Sequence, residues 1–119
     1  QEDDAKYGFW VAKAMGQVDI GQTVVIKDKM VMAVEAIEGT DRCIERGGKI
    51  AKKGAVVVKT AKPSQDTRFD VPAFGLATLK TMKKHHASVI AVEAGKTIIV
   101  DQQKAIEFAD ANNIVVMAI

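Results

Sequence analysis

One cysteine, one tryptophan and one tyrosine are spread over 119 residues. The single thiol excludes an internal disulfide and a cysteine zinc cluster; it fits a reducing cytosol, with Cys43 as a small buried side chain. Charge of one sign is lacking as well: 17 basic and 15 acidic residues nearly cancel, to a formal net charge of +2, and no run of five like charges occurs. A broad nucleic-acid-binding surface is excluded, and any electrostatic specificity must be local. Long hydrophobic runs are missing too. No apolar stretch approaches the roughly 20 residues that span a bilayer, and no signal peptide is visible, so the chain reads as soluble and cytoplasmic. Aromatics make up 5% of a chain that is 48% hydrophobic, and 119 residues accommodate one domain with a real core. The opening, Gln1-Glu2-Asp3-Asp4, lacks an initiator methionine and reads as the start of a helix, so a piece of a longer protein is expected.

Ala5, Phe9, Ala12 and Met15 fall at helical spacing and predict a helix over Asp3 to Met15, stopped by Gly16. Thr23 to Lys27 and Met30 to Glu35 are β-branched and apolar runs joined by Asp28-Lys29, the spacing of a two-residue antiparallel hairpin. Thr40 is placed to cap a helix reaching about Lys52, with Gly47-Gly48 weakening its middle. A strand over Ala55 to Lys59 leads into an irregular segment ending at Pro72, then a helix near Leu76 to His85. Ser88 to Glu93 and Thr97 to Val100 predict strands, Asp101 a cap for a helix to about Ala111, and Ile114 to Ala118 the last strand. Strands alternate with helices and are interrupted by hairpins. The expected fold is therefore a single layered α/β domain, with a mixed sheet and about four helices.

The charged groups concentrate in a few places. From Lys59 to Pro72, fourteen residues hold Lys59, Lys62, Arg68, Asp66 and Asp70. The basic trio suits phosphate oxygens, and two carboxylates four residues apart suit a divalent cation or general-base work. A surface loop held by its own ion pairs is the plainer reading, but exposed pairs contribute only ~0–1 kcal/mol, a poor return on five charges. Glu35, Glu38 and Asp41, with the hydroxyl of Thr40, straddle a strand end and a helix start. Capping accounts for Thr40 and Asp41 and leaves the two glutamates to a ligand or metal. Ala33-Val34-Glu35-Ala36 is echoed by Ala91-Val92-Glu93-Ala94, which would bring Glu35 and Glu93 to one edge of a sheet. Ala94-Gly95-Lys96-Thr97 imitates the tail of a P-loop, but Ile90 stands where the first glycine is required and a strand follows; Lys96 is left as a single charge for a phosphate. His85-His86 point about 100° apart on a helix and read as a solvated helix end rather than a chelate.

In this order, Asp19-Ile20-Gly21-Gln22, Ala33 to Asp41, Lys62-Pro63-Ser64-Gln65-Asp66-Thr67-Arg68-Phe69-Asp70-Val71-Pro72 and Ala91 to Thr97 resemble one family over essentially the whole chain. It is the C-terminal domain of the UDP-2,3-diacylglucosamine pyrophosphatase of bacterial lipid A biosynthesis, in the form found where the metallophosphoesterase-type enzyme is absent. The resemblance implies that residues 1–119 are one catalytic-type C-terminal domain, whose N-terminal partner domain lies outside this chain. It implies a magnesium-dependent hydrolysis of UDP-2,3-diacylglucosamine to UMP and 2,3-diacylglucosamine 1-phosphate, by water attacking the phosphorus next to the sugar. A catalytic aspartate is implied, with Asp66 and Asp70 as the two candidates. Phosphate charge would meet Lys59, Lys62, Arg68 and Lys96 with Gln65 and Thr40. Magnesium would be held by Asp66 and Asp70, with Glu35, Glu38, Asp41 and Glu93 in the second rank. The substrate is lipidic, so peripheral contact at the inner membrane face is a further expectation, as is a homodimer through exposed strand edges. The rival reading is a noncatalytic module that binds a phosphorylated ligand or dimerises, with the chemistry in the other domain.

Overall fold

Residues 1–61 and 72–119 are described by the computed structural model of this chain. The acidic opening begins helix α1, Glu2–Gln17, with Glu2, Asp3 and Asp4 in the first turn, where the helix dipole favours negative charge. The predicted hairpin follows as β1, Thr23–Lys27, and β2, Met30–Val34, with Lys27 opposite Met30. Asp28 and Lys29 both take positive φ, 52° and 61°, as a two-residue turn matched to strand twist requires. Left-handed backbone is unfavourable for such residues. Asp4 of α1 offsets the cost, because its carboxylate accepts the Asp28 N–H at 3.2 Å and the Lys29 N–H at 2.8 Å.

Helix α2, Thr40–Ala51, and strand β3, Ala55–Lys59, come next. After residues 62–71 the chain continues as β4, Ala73–Phe74, helix α3, Leu76–Lys84, and strand β5, Ala87–Val92. It ends with β6, Ile98–Ile99, helix α4, Gln102–Ala111, and β7, Val115–Ala118. The main sheet has the order β2-β1-β3-β5-β7; β1 is antiparallel to both neighbours, while β3, β5 and β7 are parallel. The α/β class, the mixed sheet and, among the described residues, the four helices are those expected from the sequence.

Alternation along the strands sorts the core into two layers. Val24, Ile26, Val56, Val58, Val89 and Ala91 face α1 through Ala5, Ala12 and Met15. Val25, Val57, Ile90 and Val92 face Cys43 and Ile44 of α2, Leu79 and Met82 of α3, and Ala105 and Ala109 of α4. The β3 valines Val56, Val57 and Val58 are all fully buried, each contributing ~1.5–3 kcal/mol of apolar burial. Small residues let the layers close. A Cβ on Gly8 of α1 would lie 2.5 Å from Val58 Cγ2, and one on Gly47 of α2 would lie 2.6 Å from Val25 Cβ. The glycines expected to weaken α2 therefore sit in an unbroken helix, where Gly47 sets how near it approaches β1 and Gly48 how near it approaches His85.

Four local expectations are corrected. Thr40 is the first residue of α2 rather than its cap, which is Gly39 with φ 88°, and the Thr40 hydroxyl is used elsewhere. Asp101 does stand at the α4 N-cap, in left-handed backbone, but its side chain makes no capping bond; its carbonyl accepts the Ala105 N–H at 3.0 Å. Among the described residues the hairpin is β1–β2 alone. The predicted strand Thr97 to Val100 shortens to β6, which leaves the main sheet and pairs in parallel with β4.

Candidate functional site

Because β1 alone runs against the others in the main sheet, β2, β3, β5 and β7 all deliver their carboxyl ends to one edge. Ligands of open α/β sheets bind outside such an edge. Glu35 follows β2, Lys59 ends β3 and Glu93 follows β5, so the sequence echo does bring both glutamates to the same side of the sheet.

Lys59 is only 8% exposed, although it ends in an ammonium. Its Nζ donates to Thr40 Oγ1 at 3.1 Å and to the Ala73 carbonyl at 2.9 Å. Thr40 Oγ1 donates onward to Glu35 Oε1 at 3.4 Å, and Thr23 Oγ1 lies 3.3 Å from Thr40 Oγ1. The Gln22 N–H also points at Glu35 Oε1, at 3.4 Å. Asp41, in the first turn of α2, accepts from Thr78 Oγ1 in the first turn of α3 at 3.2 Å, which ties two helix N-termini together beside Lys59. Burial pulls the Lys59 ammonium below the ordinary lysine range, and the charges of Glu35 and then Asp41 oppose that shift. Among the described residues no carboxylate oxygen comes within 4.0 Å of its Nζ. Two of its three N–H donors are occupied by neutral oxygens.

Glu93 is committed differently. Its Oε1 accepts from Lys13 Nζ at 2.7 Å and from the Ala61 N–H at 3.1 Å, and its Oε2 lies 3.5 Å from Lys96 Nζ. Burial pushes this carboxyl upward, but the Lys13 hydrogen bond, the Ala61 amide and the two lysine charges together hold it below the usual carboxylate range. Lys96, mostly exposed, is thus a partner of Glu93, on a turn followed by β6, and the P-loop likeness goes no further. Glu38 belongs to a third arrangement: Arg46 donates to its Oε1 at 2.6 Å and to the Val34 carbonyl at 2.8 Å, bracing the β2–α2 connection. That bond from Arg46 lowers the Glu38 carboxyl, too. A groove of about 670 Å³ runs along this outer face of α2, lined by Glu38, Arg42, Glu45, Arg46, Lys49 and Ile50. Its charges are mostly spent on one another, through Arg46–Glu38 and Lys49–Glu45, and it offers a ligand less than the sheet edge does.

Of the residues singled out in the sequence, the structure gathers Lys59, Thr40, Glu35 and Asp41 into one cluster and sets Glu93 with Lys96 in a second. Lys62, Gln65, Asp66, Arg68 and Asp70 lie outside the described residues. Among the described residues no group of three or more histidines, cysteines, aspartates and glutamates is placed to hold a metal ion. Cys43 is buried, as expected, and burial pushes its thiol up to about 12, so it is inert. His85 and His86 sit past the end of α3, beyond the basic last turn of Lys83 and Lys84. Lys13, Thr23 and Thr78 were not picked out by sequence reasoning. Lys13 lies 48 and 80 residues from its partners Ala61 and Glu93, a separation that no local pattern encodes.

Comparison with known proteins gives a consistent placement. The chain is 35% identical over 117 residues to the UDP-2,3-diacylglucosamine pyrophosphatase LpxI of Caulobacter vibrioides, with 92% of this chain and 42% of that protein covered. The chain thus spans less than half the length of this curated relative. Among solved structures, RibD of Acinetobacter baumannii superposes with a TM-score of 0.55 at 13% identity, over 99% of this chain and 35% of that one, a likeness of fold alone. The family model of the LpxI C-terminal domain matches residues 1–117, and the chain belongs to that family.

Proposed function

We propose that the protein carrying this domain hydrolyses UDP-2,3-diacylglucosamine to UMP and 2,3-diacylglucosamine 1-phosphate in lipid A biosynthesis, and that the carboxyl edge around Lys59 meets the pyrophosphate. The observation that carries this reading is Lys59 itself: a buried ammonium whose described partners are a hydroxyl and a carbonyl. Burying a charge without a counter-charge is expensive. Among the described residues no atom takes the third N–H, and a phosphate oxygen would accept it and bring a close counter-charge. The named activity of the Caulobacter relative supplies the substrate class.

In the proposed reaction, water forms a bond to the phosphorus next to the sugar, the bridging P–O bond breaks, and UMP leaves with the bridging oxygen. Lys59 opposes the charge that builds on the phosphate oxygens, with Lys62 and Arg68 as further cations. Thr40 holds the Lys59 ammonium in place and relays its position to Glu35. One of Asp66 and Asp70 takes the proton of the attacking water. Magnesium bound here would supply charge neutralisation at the phosphate oxygens. Glu38 and Glu93 do not fit it, being committed to Arg46 and to two lysines; its protein ligands would come from Glu35, Asp41, Asp66 and Asp70. The lipidic substrate places the work at the inner membrane face, although among the described residues no helix is long and apolar enough to cross a membrane.

The test is UMP release by the full-length protein carrying Asp66→Ala or Asp70→Ala, one at a time. Loss of turnover in one of them, with substrate binding retained, supports catalysis in this domain. Unchanged turnover in both assigns the chemistry elsewhere and leaves this domain a binding module.

A further inference from the structure

The second cluster at the carboxyl edge closes a small ring. Glu93 Oε1 accepts the Ala61 N–H at 3.1 Å and Lys13 Nζ at 2.7 Å, and Lys13 Nζ also donates to the Ala61 carbonyl at 3.2 Å. Both backbone groups of one residue are therefore gripped by charged side chains from two other elements, α1 and the end of β5. The N–H of the neighbouring Thr60 donates to the Gln22 carbonyl at 2.9 Å. Ala61 is two residues past Lys59 and is the last described residue before residues 62–71. On the far side of those residues, Lys59 Nζ holds the Ala73 carbonyl at 2.9 Å, and the Ile98 N–H holds the Pro72 carbonyl at 3.0 Å.

Stability alone does not account for this arrangement. A buried ion pair is close to neutral, or worse, against apolar side chains of the same volume, and here Glu93 is buried while Lys13 is only partly so. What the ring does supply is geometry. Charge-assisted bonds are shorter and roughly twice as strong as neutral ones, and a carboxylate already drawn to Lys13 has little freedom to release Ala61.

We propose that Glu93 and Lys13 are positioning residues for the hydrolysis: acting through Ala61, they fix where the chain leaves β3 relative to the Lys59 ammonium. The inference rests on the hydrolase reading above, because it assigns these side chains to the placement of groups that act on the pyrophosphate. They touch neither substrate nor reacting atoms.

The test uses the full-length protein with Glu93→Gln, Lys13→Met and Lys13→Arg, and measures UMP release together with thermal unfolding. A misplacement on the order of 1 Å costs up to about a hundredfold in rate. The expected result is a kcat about tenfold to a hundredfold lower in Glu93→Gln and Lys13→Met, with KM within about threefold of wild type. Lys13→Arg, which keeps the charge, recovers most of the rate. Lys13 is partly exposed, so its variants keep the test intact if Glu93→Gln unfolds. A kcat within about twofold of wild type in folded Lys13→Met, whatever its melting temperature, overturns the proposal. Should the wild-type protein itself release no UMP, the hydrolase reading fails separately. The ring is then judged by hydrogen exchange: the Ala61 amide should exchange at least about fivefold faster, relative to the Val57 amide, in both Lys13→Met and Glu93→Gln. Equal ratios in variant and wild type would overturn it.

Discussion

The ends of β2 and β5 carry the same tetrapeptide pattern, Ala-Val-Glu-Ala, yet the two glutamates meet opposite circumstances. Glu35 ends an edge strand and reaches the buried Lys59 only through the Thr40 hydroxyl, at the outer limit of hydrogen bonding. Glu93 follows an interior strand, is 8% exposed, and is held by two lysines and a backbone amide. In the first cluster the cation is deeply buried and lacks a close described carboxylate. In the second the carboxylate is deeply buried and has two cations. The contrast separates a place that can accept an anion from a place that anchors backbone, although the local sequences nearly coincide. Neighbours brought in by the fold, Lys13 of α1 on one side and Thr40 of α2 on the other, decide which is which.

The comparison would break most visibly at Lys59. In the full-length protein, Lys59→Met fills the same volume without the charge and should lower kcat/KM for UMP release by about 10²–10³-fold, the typical cost of removing one preorganised donor. An undiminished rate would mean that the first cluster is no more a ligand site than the second. Next in size is Glu93→Ala, followed by urea unfolding. It strands the Ala61 amide and the Lys13 ammonium and should cost ~1–3 kcal/mol, whereas Glu35→Ala, on the half-exposed edge, should stay within about 0.5 kcal/mol. Equal costs at the two glutamates would erase the distinction. A third outcome follows from pH. The Glu93 carboxyl is held below the usual carboxylate range in the folded chain, so the unfolded chain binds its proton first. Glu93 therefore contributes stability that is fully present above the ordinary glutamate range and is lost as pH falls through its folded-state value. Acid unfolding of Glu93→Gln should be correspondingly less steep than that of wild type. The smallest effect is expected at Glu45→Ala on α2, whose exposed i,i+4 pair with Lys49 is screened by solvent, so the urea midpoint should hardly move.

Much of this architecture was legible in the sequence because the strands advertise themselves. Val56-Val57-Val58 and the Asp28-Lys29 turn are local signals, and local signals survive into the fold. The echo of Glu35 and Glu93 gave their shared edge correctly, since strands of similar build ran parallel. Their unlike partners were not legible: Lys13 is a lysine on an amphipathic helix, and nothing nearby says that it reaches Ala61 and Glu93. The residue type of Thr40 at a helix start suggests a cap, but a buried ammonium next to it is a stronger claimant for its hydroxyl than a helix amide with Gly39 at the N-cap. Gly47 looked like a weak point because propensity counts only the helix, whereas the contact with Val25 is tertiary. The two-residue strands β4 and β6 are too short for any periodicity to mark them.

The most direct measurement of the central claim follows the Lys59 ammonium itself, by heteronuclear NMR of the full-length protein with ¹⁵N-labelled lysine, assigned by its absence in Lys59→Arg. Alone, Lys59 should titrate below the ordinary lysine range, because burial disfavours its charge. With UDP-2,3-diacylglucosamine bound to the protein made inactive by Asp66→Ala and Asp70→Ala together, the same resonance should titrate at a higher pH, as a phosphate oxygen brings a close negative charge to it. A Lys59 titration that does not move on saturation with substrate would contradict the account.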